Sequence, residues 1–416
     1  MRAKLVALLL VVTSSALPRG SSAAIIAVDC EGGADYLTIQ EAVDAAADGD
    51  TISVAPCLYE ENVLISGKLL SIVGSGTDVT RIHSNGPEPA IRISLSGVAS
   101  SFRITDLTVT RSPENSNAIW WRGCGLKLID CDTGRLEGGG VDEYAGHAHL
   151  TRSTVAALSV TGPARTSVIE DSDIVGRALF SCTFLEDPGH AVTSTASHYG
   201  ELELACTVAH LSLDAVDDLV VHGGMDVWAF VYADDSAFGH IFVSRGPEVE
   251  LTRCTVDAIS GEEAGDGYYP LVMLECLVTG DIVLTDAEVG SFRFDHNTFL
   301  GSFSYEAATD RWMHYFRSNI VCEEFQLEAE SGHFAIHHND FAGGATIVAP
   351  GDSVYANISE DPLFCDELSG DYTLQDCSPC VGAAHDGGDM GAYGIGCECF
   401  VAVQRSSWGA IKSLYR

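Results

Sequence analysis

Adjacent carboxylates at Asp234 and Asp235, followed further on by Arg253, are the residues of this 416-residue sequence most suited to carry a reaction. Cleavage of a glycosidic bond needs one carboxylic acid to protonate the leaving oxygen and a second carboxylate to act on water or on the sugar. The bland alternative is a solvated turn beside a surface salt bridge, because neighbouring residues of a strand face opposite ways. Arg152 and Arg317 occupy comparable settings to Arg253, so an arginine row is expected along one ridge.

Aromatic residues form a second candidate set: Trp120-Trp121, Trp228 with Phe230 and Tyr232, Tyr268-Tyr269, and Trp312 with His314 and Tyr315. Sugar rings pack on aromatic faces through apolar contact, so Trp228, Tyr232, Tyr268 and Trp312 are candidate ligand contacts, with internal stacking as the alternative. Asp386 and Asp389, in His385-Asp386-Gly387-Gly388-Asp389, offer a candidate Ca²⁺ site, with a tight turn as the alternative. His333, His337 and His338 carry metal-ligating nitrogens, but adjacent histidines on a strand are expected to diverge. Cys377 and Cys380 have zinc or redox spacing, yet Pro379 and nearby glycines place them in a loop. No glycine-rich phosphate loop, nucleophile elbow or zinc-protease helix is present.

These side chains need a scaffold, and composition narrows which. With 59 acidic and 22 basic residues the formal charge is −37, which excludes the concentrated positive surface that nucleic acid requires. Hydrophobic residues make up 46% and mean hydropathy is +0.15, enough for a large core. Arg2 and Lys4 precede an apolar run from Leu5 to Val12 and then Ser22-Ala23-Ala24, the layout of a secretory signal peptide over residues 1–24. No later run is long and apolar enough to span a bilayer, so the mature chain is expected to have no transmembrane segment. In a secreted chain the 14 cysteines point to disulfides.

The scaffold shows itself as a repeat. Residues 102–109, Phe-Arg-Ile-Thr-Asp-Leu-Thr-Val, return as Val-Glu-Leu-Thr-Arg-Cys-Thr-Val at 249–256. Aligned on the sixth position, the variants fall at Leu107, Cys131, Ser153, Ser172, Cys206, Cys254, Cys276, Asn297, Asn319 and Asn339. Six of the nine steps lie between 20 and 24, so the period is about 22; the step of 48 from Cys206 to Cys254 counts as two coils of 24, and the step of 34 from Ser172 to Cys206 is an ambiguous stretch where Cys182 competes with Ser172 for the register. Short apolar alternations at that period, separated by Gly, Asp and Asn, leave room for strands but not for two helices per repeat. The expected fold is all-β, a three-sided, single-stranded right-handed parallel β-helix over 25–399, followed by a basic tail at 400–416.

Local signals refine this. Thr38 and Glu41 form a capping box for a short helix whose Ile39, Ala42, Val43 and Ala46 share one face, placed to cover the open end of the solenoid. Thr51 to Val54 is the next strand. Asn297, Asn319 and Asn339 form an amide ladder along the axis, and Cys254 and Cys276 share a slot on adjacent coils. Stacked Cα atoms ~4.8 Å apart lie within disulfide range, which predicts a bond from Cys254 to Cys276; Cys30 and Cys57, flanking the helix and first strand, form the other expected pair.

Residues 36–46, 49–56, 59–63 and 70–76 resemble the start of pectinesterases and other pectin-lyase-like right-handed β-helix proteins. Residues 361–364, 369–374, 378–379 and 389–393 are similar to the closing segment of bacterial secreted β-helix proteins of the choice-of-anchor group. The resemblance covers about 28 to 397 and implies the fold. Its enzymes mostly act on acidic polysaccharides, but the later pectinesterase blocks Gln-Asp, Asp-Phe-Ile-Phe-Gly and Arg-Pro-Trp have no counterpart here. Asp234-Asp235 matches one hydrolase block, whereas Gly239-His240 runs into Ile241 and no Arg-x-Lys follows. Lyases of the fold use an arginine base with Ca²⁺ held by dispersed carboxylates, which no short motif reveals. The expected function is therefore binding or display of extracellular polysaccharide or a cell-envelope component by a secreted or surface-associated protein. A Ca²⁺-dependent lyase or a glycoside hydrolase is the alternative.

Overall fold

The computed structural model describes residues 23–95, 101–113, 116–139, 146–161, 166–181, 190–205, 207–222, 229–244, 247–262, 270–285, 291–307, 313–349 and 353–399. Residues 1–22 of the expected 1–24 signal peptide, the basic tail from 400 on, Cys206, Trp228, Tyr268 and Trp312 lie outside them.

Each coil begins with a strand of about five residues in which alternate side chains are buried, as in Phe230–Asp234 and Glu248–Thr252. These strands pair in parallel with their counterparts one coil away and build a 16-stranded sheet running from Ile25–Val28 to Ser353–Tyr355. Two residues then turn the corner. The first has a left-handed backbone at Asp106, Asp130, Arg152, Asp171, Ala196, Leu213, Asp235, Arg253, Glu275, His296, Ser318, His338 and Ala356. The chain next enters a second, 21-stranded sheet in two legs, which are separate strands late in the chain (Thr298–Phe299 and Phe303–Ala307) and one bent strand in the middle (Ala237–Ser244). Two legs plus the first sheet make three sides. Gly239 sits at such a bend, where a Cβ would stand 2.6 Å from the carbonyl oxygen of Asp217 in the coil before. It is therefore a packing glycine. The architecture is a parallel β-solenoid with about 22 residues per turn and, among the described residues, one short α-helix.

The second corner residue points inward and forms a polar ladder. Asn297 N–H donates to Asn319 Oδ1 at 2.9 Å, Asn319 N–H to Asn339 Oδ1 at 2.9 Å, and Asn339 N–H to Asn357 Oδ1 at 3.0 Å. Each amide Nδ2 also donates to a carbonyl one coil back, as Asn319 does to Phe294 at 2.8 Å. Upstream, Ser153, Ser172 and Ser197 do related work: Ser153 N–H donates to Ser172 Oγ and Ser172 N–H to Ser197 Oγ, both at 3.2 Å. The expected register needs correcting here. The slot after Ser172 is Ser197, and Asp214 and Ser236 follow before Cys254, with Ser197 N–H donating to Asp214 Oδ1 and Asp214 N–H to Ser236 Oγ. Ser197 and Asp214 thus fill the ladder slots where the expected register had Cys206, a residue outside those described.

The ends are sealed differently. Helix Ile39–Ala45 buries Ile39, Ala42 and Val43 over the first coils, and Thr38 Oγ1 accepts the N–H of Glu41. The next orphan amides, Ile39 and Gln40, donate to the Glu61 carboxylate, and Lys68 Nζ donates to the Val43 and Asp44 carbonyls at the helix's other end. At the far end, strands Phe364–Asp366, Asp371–Gln375 and Ile395–Cys397 cover a small second core containing Ile320, Phe364, Leu374 and Met390. Gly391 docks this cap: its N–H donates to the Ser318 carbonyl, its φ is +86°, and a Cβ would stand 2.7 Å from Ile320 Cδ1.

Disulfides join Cys30 to Cys57, Cys365 to Cys397 and Cys377 to Cys399. Cys254 and Cys276 are not bonded, contrary to the stacking expectation. Equivalent residues of parallel neighbours project side by side, leaving their Cβ atoms near the ~4.8 Å strand spacing rather than the ~3.8 Å a disulfide needs. The Cys254 thiol instead faces the Thr252 carbonyl and the Cys276 thiol that of Leu274, each at 3.4 Å. Cys380 is likewise a thiol, buried and directed at Asp340 Oδ2 at 3.1 Å.

Candidate functional site

Strands Thr207–Ser212, Phe230–Asp234 and Glu248–Thr252 lie side by side in the first sheet, with His210, Tyr232 and Glu250 in register. Period-two alternation sends Ala209, Val231 and Leu251 inward and lays His210, Tyr232 and Glu250 on the outer face. There the His210 and Tyr232 rings stack at 5.2 Å with planes 17° apart. They line an open groove of about 360 Å³ whose sides include Thr193, Ser212, Asp234 and Glu250. The Tyr232 hydroxyl is held above its ordinary pKa by burial and by the nearby Glu248 and Glu250 carboxylates. Burial, then Glu250, raises Glu248. The site is thus apolar at its centre and acidic along one side.

Asp234, Asp235 and Arg253 meet at the rim. Arg253 Nε donates to Asp235 Oδ1 at 2.9 Å and its Nη2 reaches Asp235 Oδ2 at 3.1 Å and also Asp234 Oδ1. The guanidinium pulls the Asp235 carboxyl below its usual range, and Asp235 in turn strengthens the guanidinium's hold on its proton. A carboxylate kept ionised is a poor general acid, and an arginine kept charged is a poor base. The same motif recurs at the corner: Arg152 donates to Asp130, and Arg317 to Asp295, from one coil to the coil before. The arginine row is real, and each of these members is paired.

The aromatic doublet Trp120-Trp121 splits between faces. Trp121 is fully buried, whereas the Trp120 ring faces the Arg92 guanidinium at 5.1 Å. Asp386 and Asp389 do not converge on one point. Asp389 Oδ1 accepts the Gly382 N–H at 2.8 Å, while Asp386 Oδ2 lies 3.5 Å from His296 Nε2. His337 and His338 approach rather than diverge, with Nδ1 atoms 3.0 Å apart, because the left-handed backbone at His338 ends the strand alternation. Cys377 is disulfide-bonded, which removes a thiolate from the Cys377/Cys380 metal reading.

Several polar groups were not legible as site residues. His210 sits outside the octet as aligned, since Leu213 and Asp214 disguise that coil's corner, whereas Glu248 precedes the octet at 249–256 and Glu250 is an unremarkable member of it. A second groove of about 610 Å³ follows the corner itself, past Arg152, Asp171, His198 and Leu213. Its His198 is raised above the ordinary imidazole pKa by its contact with Asp173, then by Asp217. Inside the solenoid, Asp214 accepts from Ser194 Oγ, Ser197 N–H and Ser212 N–H, and Ser194 Oγ is 2.7 Å from the buried Tyr199 hydroxyl. Burial pushes the Asp214 carboxyl up to about 6 despite those donors.

Fold and face together define a parallel β-solenoid with a shallow, ring-floored groove on one sheet. No family model matches the chain, and no curated protein does. Among solved structures it is similar to pectin methylesterase from carrot, with 9% identity over 80% of this chain and 86% of that one at a TM-score of 0.21. That likeness carries no argument about activity.

Proposed function

We propose that this chain is an extracellular glycan-binding solenoid that lays a polysaccharide along the outer face of its 16-stranded sheet. The observation supporting this reading is the His210–Tyr232 ring stack in an open groove lined from four adjacent coils. Aromatic faces take up the apolar faces of sugar rings, and the flanking Thr193, Ser212 and Glu250 supply hydroxyl and carboxylate partners. The carboxylates favour neutral or amino sugars over polyuronates, since like charges would meet there. The three disulfides among the described residues fit an oxidising compartment, and no helix among those residues is long and apolar enough to cross a membrane.

The test is binding of the disulfide-intact protein to immobilised neutral, amino-sugar and uronate polysaccharides, with and without Ca²⁺. Tyr232→Ala should weaken binding about tenfold, a loss of ~1.4 kcal/mol, at unchanged thermal stability. A preference for polyuronates that survives Tyr232→Ala, or Ca²⁺-dependent release of unsaturated products, would instead favour the lyase.

A further inference from the structure

The C-terminal cap brings nitrogen and oxygen donors together from distant parts of the chain. His296 is the left-handed corner residue of one coil, while His385 and Asp386 arrive on the cap segment that docks through Gly391. One donor atom from each of these three lies within 4.8 Å of the others. We propose that His296, His385 and Asp386 form a binding site for a zinc-class divalent transition metal, fastening the cap to the coils.

Both histidines are already oriented as metal ligands are. His296 Nδ1 lies 3.1 Å from the Asp389 carbonyl, which can only accept, so Nδ1 carries the proton and Nε2 keeps its lone pair. That free Nε2 faces Asp386 Oδ2 at 3.5 Å, close to the ~3.3 Å edge of a tetrahedron with metal bonds of ~2.0–2.1 Å. His385 Nδ1 lies 2.8 Å from Ser318 Oγ, which also accepts the His385 backbone N–H at 2.9 Å. With Nδ1–H donating to that oxygen, the His385 Nε2 is the ligating atom. A ring nitrogen tied to a carbonyl or hydroxyl behind the site is the usual support of a metal-bound imidazole. The nearby Arg317 charge is matched by Asp295, which its Nε and Nη2 contact at 2.8 and 2.6 Å.

Two imidazoles and one carboxylate are a donor set for Zn²⁺, Co²⁺ or Ni²⁺, whereas Ca²⁺ takes six or more oxygens. Three protein ligands leave one position for water or an outside ligand. The site thereby replaces the Asp386/Asp389 Ca²⁺ reading with a different donor set.

The experiment uses the full secreted chain without an affinity tag. Zn²⁺ and Ca²⁺ binding are followed by calorimetry and thermal melting, and Co²⁺ loading by visible absorption. His296→Asn keeps a residue at ease with a left-handed backbone, and His385→Gln is the partner variant. The proposal expects Zn²⁺, not Ca²⁺, to raise the melting temperature. It expects each variant to lose one metal equivalent, or to weaken it at least tenfold, along with tetrahedral Co²⁺ bands. Zn²⁺ binding identical in wild type and both folded variants would overturn the site. So would no Zn²⁺ binding, or stabilisation by Ca²⁺ alone. Glycan binding through Tyr232 is read separately and is expected to be the same with and without Zn²⁺.

Discussion

The polar ladder is built in two chemistries, and the stretches differ in how many coils each member ties together. In the serine stretch, Ser172 Oγ accepts the Ser153 N–H and donates to Glu170, two residues before it. A serine therefore links one pair of coils and closes its remaining bond locally. In the asparagine stretch, Asn319 accepts from Asn297 N–H and Nδ2, then donates to Phe294 on one side and Asn339 on the other. Each amide spans three coils. The surrounding core changes with it: Phe294, Phe299, Phe303, Phe316, Phe325 and Phe341 pack ring to ring around the asparagines. The serines share their coils with Leu150, Val155, Ile169, Ile174 and Val192. Side-chain reach thus sets how far an internal hydrogen bond couples a solenoid.

That contrast can be broken. Replacing Asn319 with Leu strands the buried Asn297 N–H and the Phe294 carbonyl, with an expected cost of about 3 kcal/mol or more in chemical denaturation. A loss below ~1 kcal/mol would mean that the coils do not depend on the amide row. Asp214→Asn comes next, at the one carboxylate in the ladder. Its folded pKa, up to about 6, exceeds the ordinary 3.8, so its contribution to stability is fully present below the ordinary value and lost as pH rises through about 6. Between pH 4 and pH 8 the variant should therefore gain ~2–3 kcal/mol relative to wild type. A pH-independent difference would place Asp214 outside the titration. Ser172→Ala removes one acceptor and one local donor, for about 1–2 kcal/mol, less than the asparagine because fewer coils are involved. Smallest of all, Arg253→Gln at the exposed corner should leave the denaturation midpoint unchanged within experimental error, because solvent screens the pair. Sugar-binding affinity is expected to stay within a factor of two.

How much was legible follows from the same geometry. The octet at 249–256 could be read because it spans the end of a first-sheet strand, the two-residue corner and the start of the next leg, all of constant length. The helix face Ile39, Ala42, Val43 and Ala46 was equally readable, since two turns of apolar spacing were enough. The register slipped after Ser172 because Ala196 and Leu213 hold the left-handed position usually given to Asp, Arg or His, and an acid fills the slot at Asp214. Rings and carboxylates at His210, Tyr232 and Glu250 come from three coils, so their convergence appears only once the register is known. The Cys254 and Cys276 slot was read correctly, but Cα spacing alone did not tell that their side chains run parallel.

The corners differ in a way that bears on how such a chain can be altered. From Thr105/Thr108 to His337/Asp340, two residues always separate the first-sheet strand from the next, whereas the return from the second sheet, where all its residues are described, runs from two residues, 123–124, to four, 67–70. Length variation is carried by that return margin and, at 85–90 and 112–116, by the join between the two second-sheet legs, but not by the first-sheet exit from Thr105 on. A peptide grafted into that margin leaves pairing in every other coil untouched, while a single residue inserted at the opposite corner inverts inside and outside for the strand that follows. The solenoid is therefore editable along its return edge and fixed in length along the first-sheet exit.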